Sequence, residues 1–123
     1  LALCDGKPKM NESYVDLLLH DKKKDKNQTK TFYKILSNKQ RTSLIQFEPK
    51  TGKKHQLRIV AKNLGSPIVG DSKYNLNQSN KNENLKLNAH KLEFKIDGNQ
   101  FNFKSDLPND FTNYMKQKQI SFR

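Results

Sequence analysis

Residues 51–74 read TGKKHQLRIVAKNLGSPIVGDSKY, and no other stretch limits the fold as much. Leu57, Val60, Ala61 and Leu64 recur at i, i+3, i+4 and i+7, the spacing that gathers apolar side chains on one helix face. Lys54, Arg58 and Lys62 recur every four residues on a neighbouring face. The spacing predicts a helix over 54–64 with an apolar stripe for a core and a cationic stripe for something else. Gly65 follows as the residue that ends it, and Thr51 is the nearest residue able to cap its start.

The other elements are shorter and mostly extended. Residues 1–4 read as part of a strand, and 5–8 as turn chemistry. Residues 14–19 form an apolar patch too brief to assign. Residues 21–30, DKKKDKNQTK, read as an exposed charged loop. Strands are predicted over 31–37 and 42–48, joined by a hairpin connection at 38–41. The second of these lacks clean alternation, which implies burial on both faces. Residues 75–84 are polar and of low complexity. Residues 85–95 alternate as a strand, with Leu85, Leu87 and Ala89 set against Lys86, Asn88 and His90. A change of phase before Leu92 and Phe94 marks a bulge or bend. Asp97-Gly98 is a strong hairpin turn leading to a strand over 100–104. A last helix is predicted over 110–117, with Phe111, Tyr114 and Met115 on one face. The fold class is α+β: a mixed, mostly antiparallel sheet with one main helix packed on it and a C-terminal helix.

Length allows one small domain. Only 33% of the 123 residues are hydrophobic, and the mean hydropathy is -1.00. The core is thin unless further polypeptide completes it. A formal charge of +12, from 24 Lys and Arg against 12 Asp and Glu, attracts polyanions and makes nucleic acid the leading partner class. An anionic membrane surface is the second class, but no apolar run approaches the length of a membrane span. The single cysteine, Cys4, rules out an internal disulfide and a multi-cysteine metal site, and fits a reducing, cytoplasmic or organellar setting.

Among single residues, Arg58 invites attention because a guanidinium can hold a carboxylate ionised and oriented. A solvated helix arginine is the plainer reading from the residues alone. Lys53, Lys54 and Lys62 are the right type for phosphate contacts, although a lysine-rich chain has many solvated lysines. His55 reads as a hydrogen-bonding residue at the helix entry. Asp71 reads as a turn aspartate bonding nearby amides. No Ser-His-Asp set, glycine-rich phosphate loop or metal-ligand spacing is present.

The order of motifs resembles the C-terminal half of the RluA family of RNA pseudouridine synthases. Residues 1–6, LALCDG, resemble the family's strand ending in Ala-Leu-Val-x-Gly, and 31–36, TFYKIL, its Thr-x-Tyr-x-Val-Leu strand. Residues 49–58, PKTGKKHQLR, are similar to Pro-x-Thr-Gly-Arg-x-His-Gln-Ile/Leu-Arg. Residues 65–71 with Tyr74 resemble Gly-His-Pro-Ile-x-Gly-Asp-x-x-Tyr-Gly. Residues 85–94 resemble Leu-x-Leu-His-Ala-x-x-Leu-x-Phe, and Leu107-Pro108 with Phe111 the closing Leu-Pro-x-x-Phe. Lys53 stands where Arg is usual, Ser66 and Asn88 where His is usual, and Asn75 where Gly is usual.

The resemblance implies a partial pseudouridine synthase catalytic fold spanning 1–123. The family's His-Arg-Leu-Asp motif, which carries the catalytic aspartate, would lie upstream of Leu1. It also implies isomerisation of uridine to pseudouridine in RNA, with large-subunit ribosomal RNA as the expected target, no cofactor and no metal. Arg58 would pair with the upstream aspartate, and Leu57 would wall the pocket of the target base. Lys53, Lys54, His55 and Lys62 would lie toward the RNA. The chain alone is then expected to be inert, with Arg58 facing an empty pocket or a substitute anion rather than a carboxylate of its own. An exposed sheet edge or apolar patch is expected where the missing half of the domain would dock. The competing reading is a non-enzymatic basic RNA-binding or ribosome-associated module.

Overall fold

The computed structural model describes residues 1–20, 26–51, 55–77 and 82–121. Four antiparallel strands form the main sheet: β1 (Ala2–Asp5), β2 (Glu12–His20), β3 (Lys26–Lys39) and β4 (Thr42–Pro49), in the order β1-β4-β3-β2. Helix α1 (Gln56–Asn63) follows, then a hairpin of β5 (Lys91–Ile96) and β6 (Asn99–Lys104), then α2 (Asn109–Gln117). The hairpin is a separate two-stranded sheet. The expected α+β class is observed.

Alternation along β1 sorts the core into two layers. Leu1 and Leu3 join Leu44, Val69, Phe111, Tyr114 and Met115 on the α2 side. Ala2 and Cys4 join Tyr33, Ile45, Phe47, Val60, Ala61 and Ile68 on the α1 side. Strand β4 lies between the layers, so Thr42, Ser43, Leu44 and Ile45 are all buried. Its lack of alternation therefore has the expected cause. Helix α2 buries the three side chains its spacing picks out.

Five expectations need correction. Residues 21–30 are not wholly a loop. Residues 21–25 lie outside the described residues, but β3 begins at Lys26 and pairs with β2 through Leu17 opposite Thr29. Here Thr29, Thr31 and Tyr33 are buried while Gln28, Lys30 and Lys34 face water. Charge on the outer face hides a period-two strand. The patch at 14–19 is the facing strand, β2.

The helix begins at Gln56 rather than Lys54. His55 is left-handed, at φ 56, and so cannot continue a helix. The hydroxyl of Thr51 does not cap the helix backbone but donates to Oε1 of Gln56 at 2.8 Å. The end is as expected: Gly65 has φ 77, and the amides of Gly65 and Ser66 donate to Lys62 and Ala61 carbonyls, each at 3.0 Å.

The predicted strand over 85–95 divides. Leu87 makes an isolated bridge with Ala2, and the ladder resumes only at Lys91. Its inward and outward faces are also exchanged near the start. Lys86 is 1% exposed and Leu85 is 37% exposed. Lys86 reaches into the space beside α2, where Nζ donates to the Asn84 carbonyl at 2.7 Å and pairs with Glu83 at 3.0 Å and Asp110 at 3.6 Å. A buried ammonium is tolerable when it is satisfied in this way.

Candidate active site

Helix α1 carries three consecutive side chains to three destinations. Successive helical residues point about 100° apart, so a buried anchor, a cleft wall and a cation can follow one another. Gln56 is the anchor. Its Nε2 donates to Oγ1 of Thr31 at 2.9 Å and to the Lys30 carbonyl at 3.3 Å, tying the helix start to β3.

Leu57 is half-buried and lines a cleft of about 600 Å³ with Leu1, Phe47, Leu87, Asn88 and His90. Glu48, Lys50, Lys91 and Glu93 line it too, so the wall is mixed: apolar side chains that suit a flat heterocycle and charged groups able to orient it. Burial, first, and then neighbouring Lys104 lower the pKa of His90 from its ordinary value.

Arg58 turns the other way. Its Nε donates to Oδ2 of Asp71 at 2.9 Å and its Nη2 to Oδ1 at 2.6 Å. The expectation that Arg58 meets no carboxylate of its own chain is therefore overturned. Asp71 is seated by its turn, as its position after Gly70 suggested. Oδ1 also accepts the amides of Lys73 and Tyr74 at 3.0 and 3.1 Å. Gly70 is required there: its φ is 82, and a Cβ would run into the Asn84 carbonyl.

The side chain of Asp71 is fully buried and that of Arg58 is 18% exposed. Burial alone would raise the Asp71 pKa. The Arg58 hydrogen bond, the two amides and the Arg58 charge outweigh it and hold the carboxyl below its ordinary value. Correspondingly, the Asp71 hydrogen bond raises the pKa of Arg58. A guanidinium has five N–H donors and Asp71 uses two. The remaining edge has no partner among the described residues. It can receive a second anion without giving up the first.

Tyr74 completes the cluster. The centres of three cations lie near its ring centroid: Arg58 at 5.3 Å, Lys73 at 5.3 Å and Lys62 at 6.0 Å. His55 meets the ring edge-on, with centroids 6.1 Å apart. Attraction to the ring face offsets part of the repulsion among these charges. The half-exposed patch so formed is suited to a polyanion.

Of the residues chosen from sequence, Arg58, His55 and Lys62 gather at Tyr74, while Leu57 lines the separate cleft and Arg58 does not. Lys53 and Lys54 lie outside the described residues. Asp71 as an ion-pair partner, Tyr74 and Lys73 were not singled out for the site. The Gly-Asp-x-x-Tyr pattern could have flagged them, although a pairing across thirteen positions has no local periodicity. Among the described residues no group of three or more His, Cys, Asp or Glu is placed to hold a metal. No described helix is long and apolar enough to cross a membrane.

A family model described as RNA pseudouridylate synthase matches residues 1–63. Ribosomal large subunit pseudouridine synthase D of Borreliella burgdorferi is 36% identical over 122 residues, covering 89% of this chain and 37% of that protein. Ribosomal large subunit pseudouridine synthase C of Rickettsia felis is 43% identical over 86 residues, covering 67% of this chain and 28% of that protein. The chain thus spans well under half the length of either relative. The solved structure of human RNA Pseudouridylate Synthase Domain Containing 4 superposes with a TM-score of 0.87 at 21% identity, covering 98% of this chain and 61% of that one. At that identity the likeness establishes the fold.

Proposed function

The chain belongs to the RNA pseudouridylate synthase family, of the RluA type, and from that premise we propose that it is the C-terminal part of an enzyme that isomerises uridine to pseudouridine in RNA. The names of its bacterial relatives favour large-subunit ribosomal RNA as the target. The observation that carries the reading is the Arg58–Asp71 pair, with one edge of the guanidinium unengaged among the described residues.

The reaction breaks the bond from the ribose carbon to the uracil nitrogen and forms one to uracil C5. The proton on C5 leaves to solvent and the freed nitrogen takes one up, so the product has the same atoms as the substrate. It needs an ionised carboxylate near the ribose carbon, supplied by the part of the enzyme upstream of this chain. Arg58 holds that carboxylate ionised and aimed, because a fixed cation favours the charged form. Asp71 fixes Arg58 by taking Nε and Nη2, so the free edge points one way. Leu57 and the cleft give the extruded base an apolar wall. Lys62, Lys73 and His55 around Tyr74 face the phosphates, and Lys53 and Lys54 are further cations of the same motif.

In the whole enzyme, Arg58→Ala should lower tritium release from RNA labelled at uracil C5 by more than about a hundredfold, the scale on which electrostatic groups at a reacting centre act. RNA affinity should change less than tenfold, since Arg58 engages carboxylates and the cations that face the phosphates remain. Unchanged release would remove Arg58 from the mechanism.

The cation cluster on Tyr74 would equally serve a module that only binds RNA. Release of tritium by the whole protein decides between the two.

A further inference from the structure

A basic cleft of about 460 Å³, separate from the one at Leu57, lies between the turn after β1 and the tip of the β3–β4 hairpin. Lys7, Lys39 and Arg41 line it with Asn38, Gln40 and Asp5. The three cations are all exposed, and none has an ion pair among the described residues. Asp5, the one carboxylate in the wall, is already engaged: Oδ2 accepts Asn75 Nδ2 at 2.7 Å and Asn77 Nδ2 at 3.2 Å. Positive charge therefore dominates the cleft.

Its rim is held in an expensive shape. Gln40 and Arg41 have φ 51 and 59, so both central residues of a two-residue turn are left-handed. The same molecule makes the other hairpin turn with Asp97 and Gly98, at φ 50 and 81, the inexpensive choice. A side chain in the left-handed region costs about 1 kcal/mol relative to glycine. The turn is nevertheless tied to β1 and β4 by hydrogen bonds. The Gly6 amide donates to the Arg41 carbonyl at 2.6 Å, and Ser43 Oγ donates to the Gly6 carbonyl at 2.5 Å. Strain maintained in a charged cleft points to a role for the side chains themselves.

The cleft is also coupled to the Arg58 site. The turn that seats Asp71 and Tyr74 continues to Asn75 and Asn77, which bond Asp5. From Arg58 the helix runs toward Gly65, whose carbonyl lies beside Gly6. That path is about 10 Å at the helical rise.

We propose that this cleft is a second RNA-backbone site, in which Lys7, Lys39 and Arg41 bind phosphate oxygens of nucleotides flanking the one at Arg58. Asn38 and Gln40 offer carboxamides for ribose hydroxyls, groups that distinguish RNA from DNA. The assignment rests on the RNA reading above.

The test is fluorescence anisotropy of the chain with a labelled RNA stem-loop across a potassium chloride series. Two triple variants of equal charge are compared: Lys7→Ala/Lys39→Ala/Arg41→Ala in the cleft, and Lys95→Ala/Lys104→Ala/Lys116→Ala, exposed on the β5–β6 hairpin and α2 and lining neither cleft. The cleft variant should lose at least about tenfold in affinity and flatten the salt slope by about 2, as loss of two to three phosphate contacts requires. The second variant should lose less than about threefold with little change of slope. Arg41→Gly separates folding from binding, because it should raise the melting temperature while weakening RNA affinity. Equal losses in the two triple variants would overturn the site but leave the RNA reading standing. Absence of RNA binding by the unsubstituted chain would overturn both.

Discussion

Arg58 and Asp71 form a pair whose two members are unequally exposed, and the inequality decides how it behaves. Asp71 is wholly buried and has no water to fall back on. Removing its charge leaves Arg58 half-satisfied and two amides facing a weaker acceptor. Asp71→Asn should therefore cost about 3 kcal/mol of stability, at the lower end for a broken buried pair because Arg58 retains some water. A urea melt measures it. The pH dependence has a definite sign. The folded pKa of Asp71 is depressed, so its contribution is present above the ordinary carboxylate range and lost as pH falls through the folded value. The unsubstituted chain should lose stability more steeply below about pH 4 than Asp71→Asn does, since unperturbed Asp titrates near there. Parallel acid curves for the two would show that the pair contributes nothing. Arg58 itself was legible as a cation able to orient a carboxylate. Its partner within the chain was not, because the contact depends on how a turn after Gly70 lies over α1.

At the scale of elements, ends were more legible than beginnings. Gly65 and the apolar stripe of α1 were readable because a helix stop and a 3.6-residue period are local properties. The start was not, because a left-handed His55 is imposed by the path from β4 into the helix. Helix α2 ends by the same device as α1, with a costlier residue. Gln119 has φ 58, and the amides of Gln119 and Ile120 bond the Lys116 and Met115 carbonyls at 3.1 and 2.9 Å. Gln119→Gly should stabilise the chain by about 0.5–1 kcal/mol, as relief of a left-handed side chain outweighs the added unfolded-state freedom. Calorimetry would register an upward shift of the melting temperature, and a fall would mean that the Gln119 side chain contributes contacts. Lys86 shows the opposite limit of legibility. Alternation placed it outward, yet α2 and the turn at Glu83 supply three oxygens that make the inside affordable.

Across the whole molecule, the sheet is covered on both faces near β1 and β4 but thins toward β2. Tyr14 and Leu18 on β2 are 57% and 47% exposed, and Phe103 on β6 is 58% exposed. Strand β2 is an edge of the main sheet, so an exposed edge is present among the described residues. Under the proposed function these surfaces receive the remainder of the catalytic domain. The isolated chain should then bind RNA in a salt-dependent way yet release no tritium from C5-labelled uridine. Release by this chain alone would mean that its own residues supply the reacting carboxylate.

Residue type and spacing sufficed for the α+β class, the hairpin turn at Asp97-Gly98, the stop at Gly65, the buried face of α2 and the ordered motifs that carry the family resemblance. Each of these is written within a few positions of the chain. The strand hidden in residues 26–30, the burial of Lys86, the parting of Leu57 from Arg58 and the Arg58–Asp71 pair belong to the tertiary structure. Whether a polar side chain faces water or a partner depends on which element packs over it, and that element lies elsewhere in the chain. Arg58 spans both cases: its charge and position are local, and its geometry is set by a carboxylate thirteen residues away.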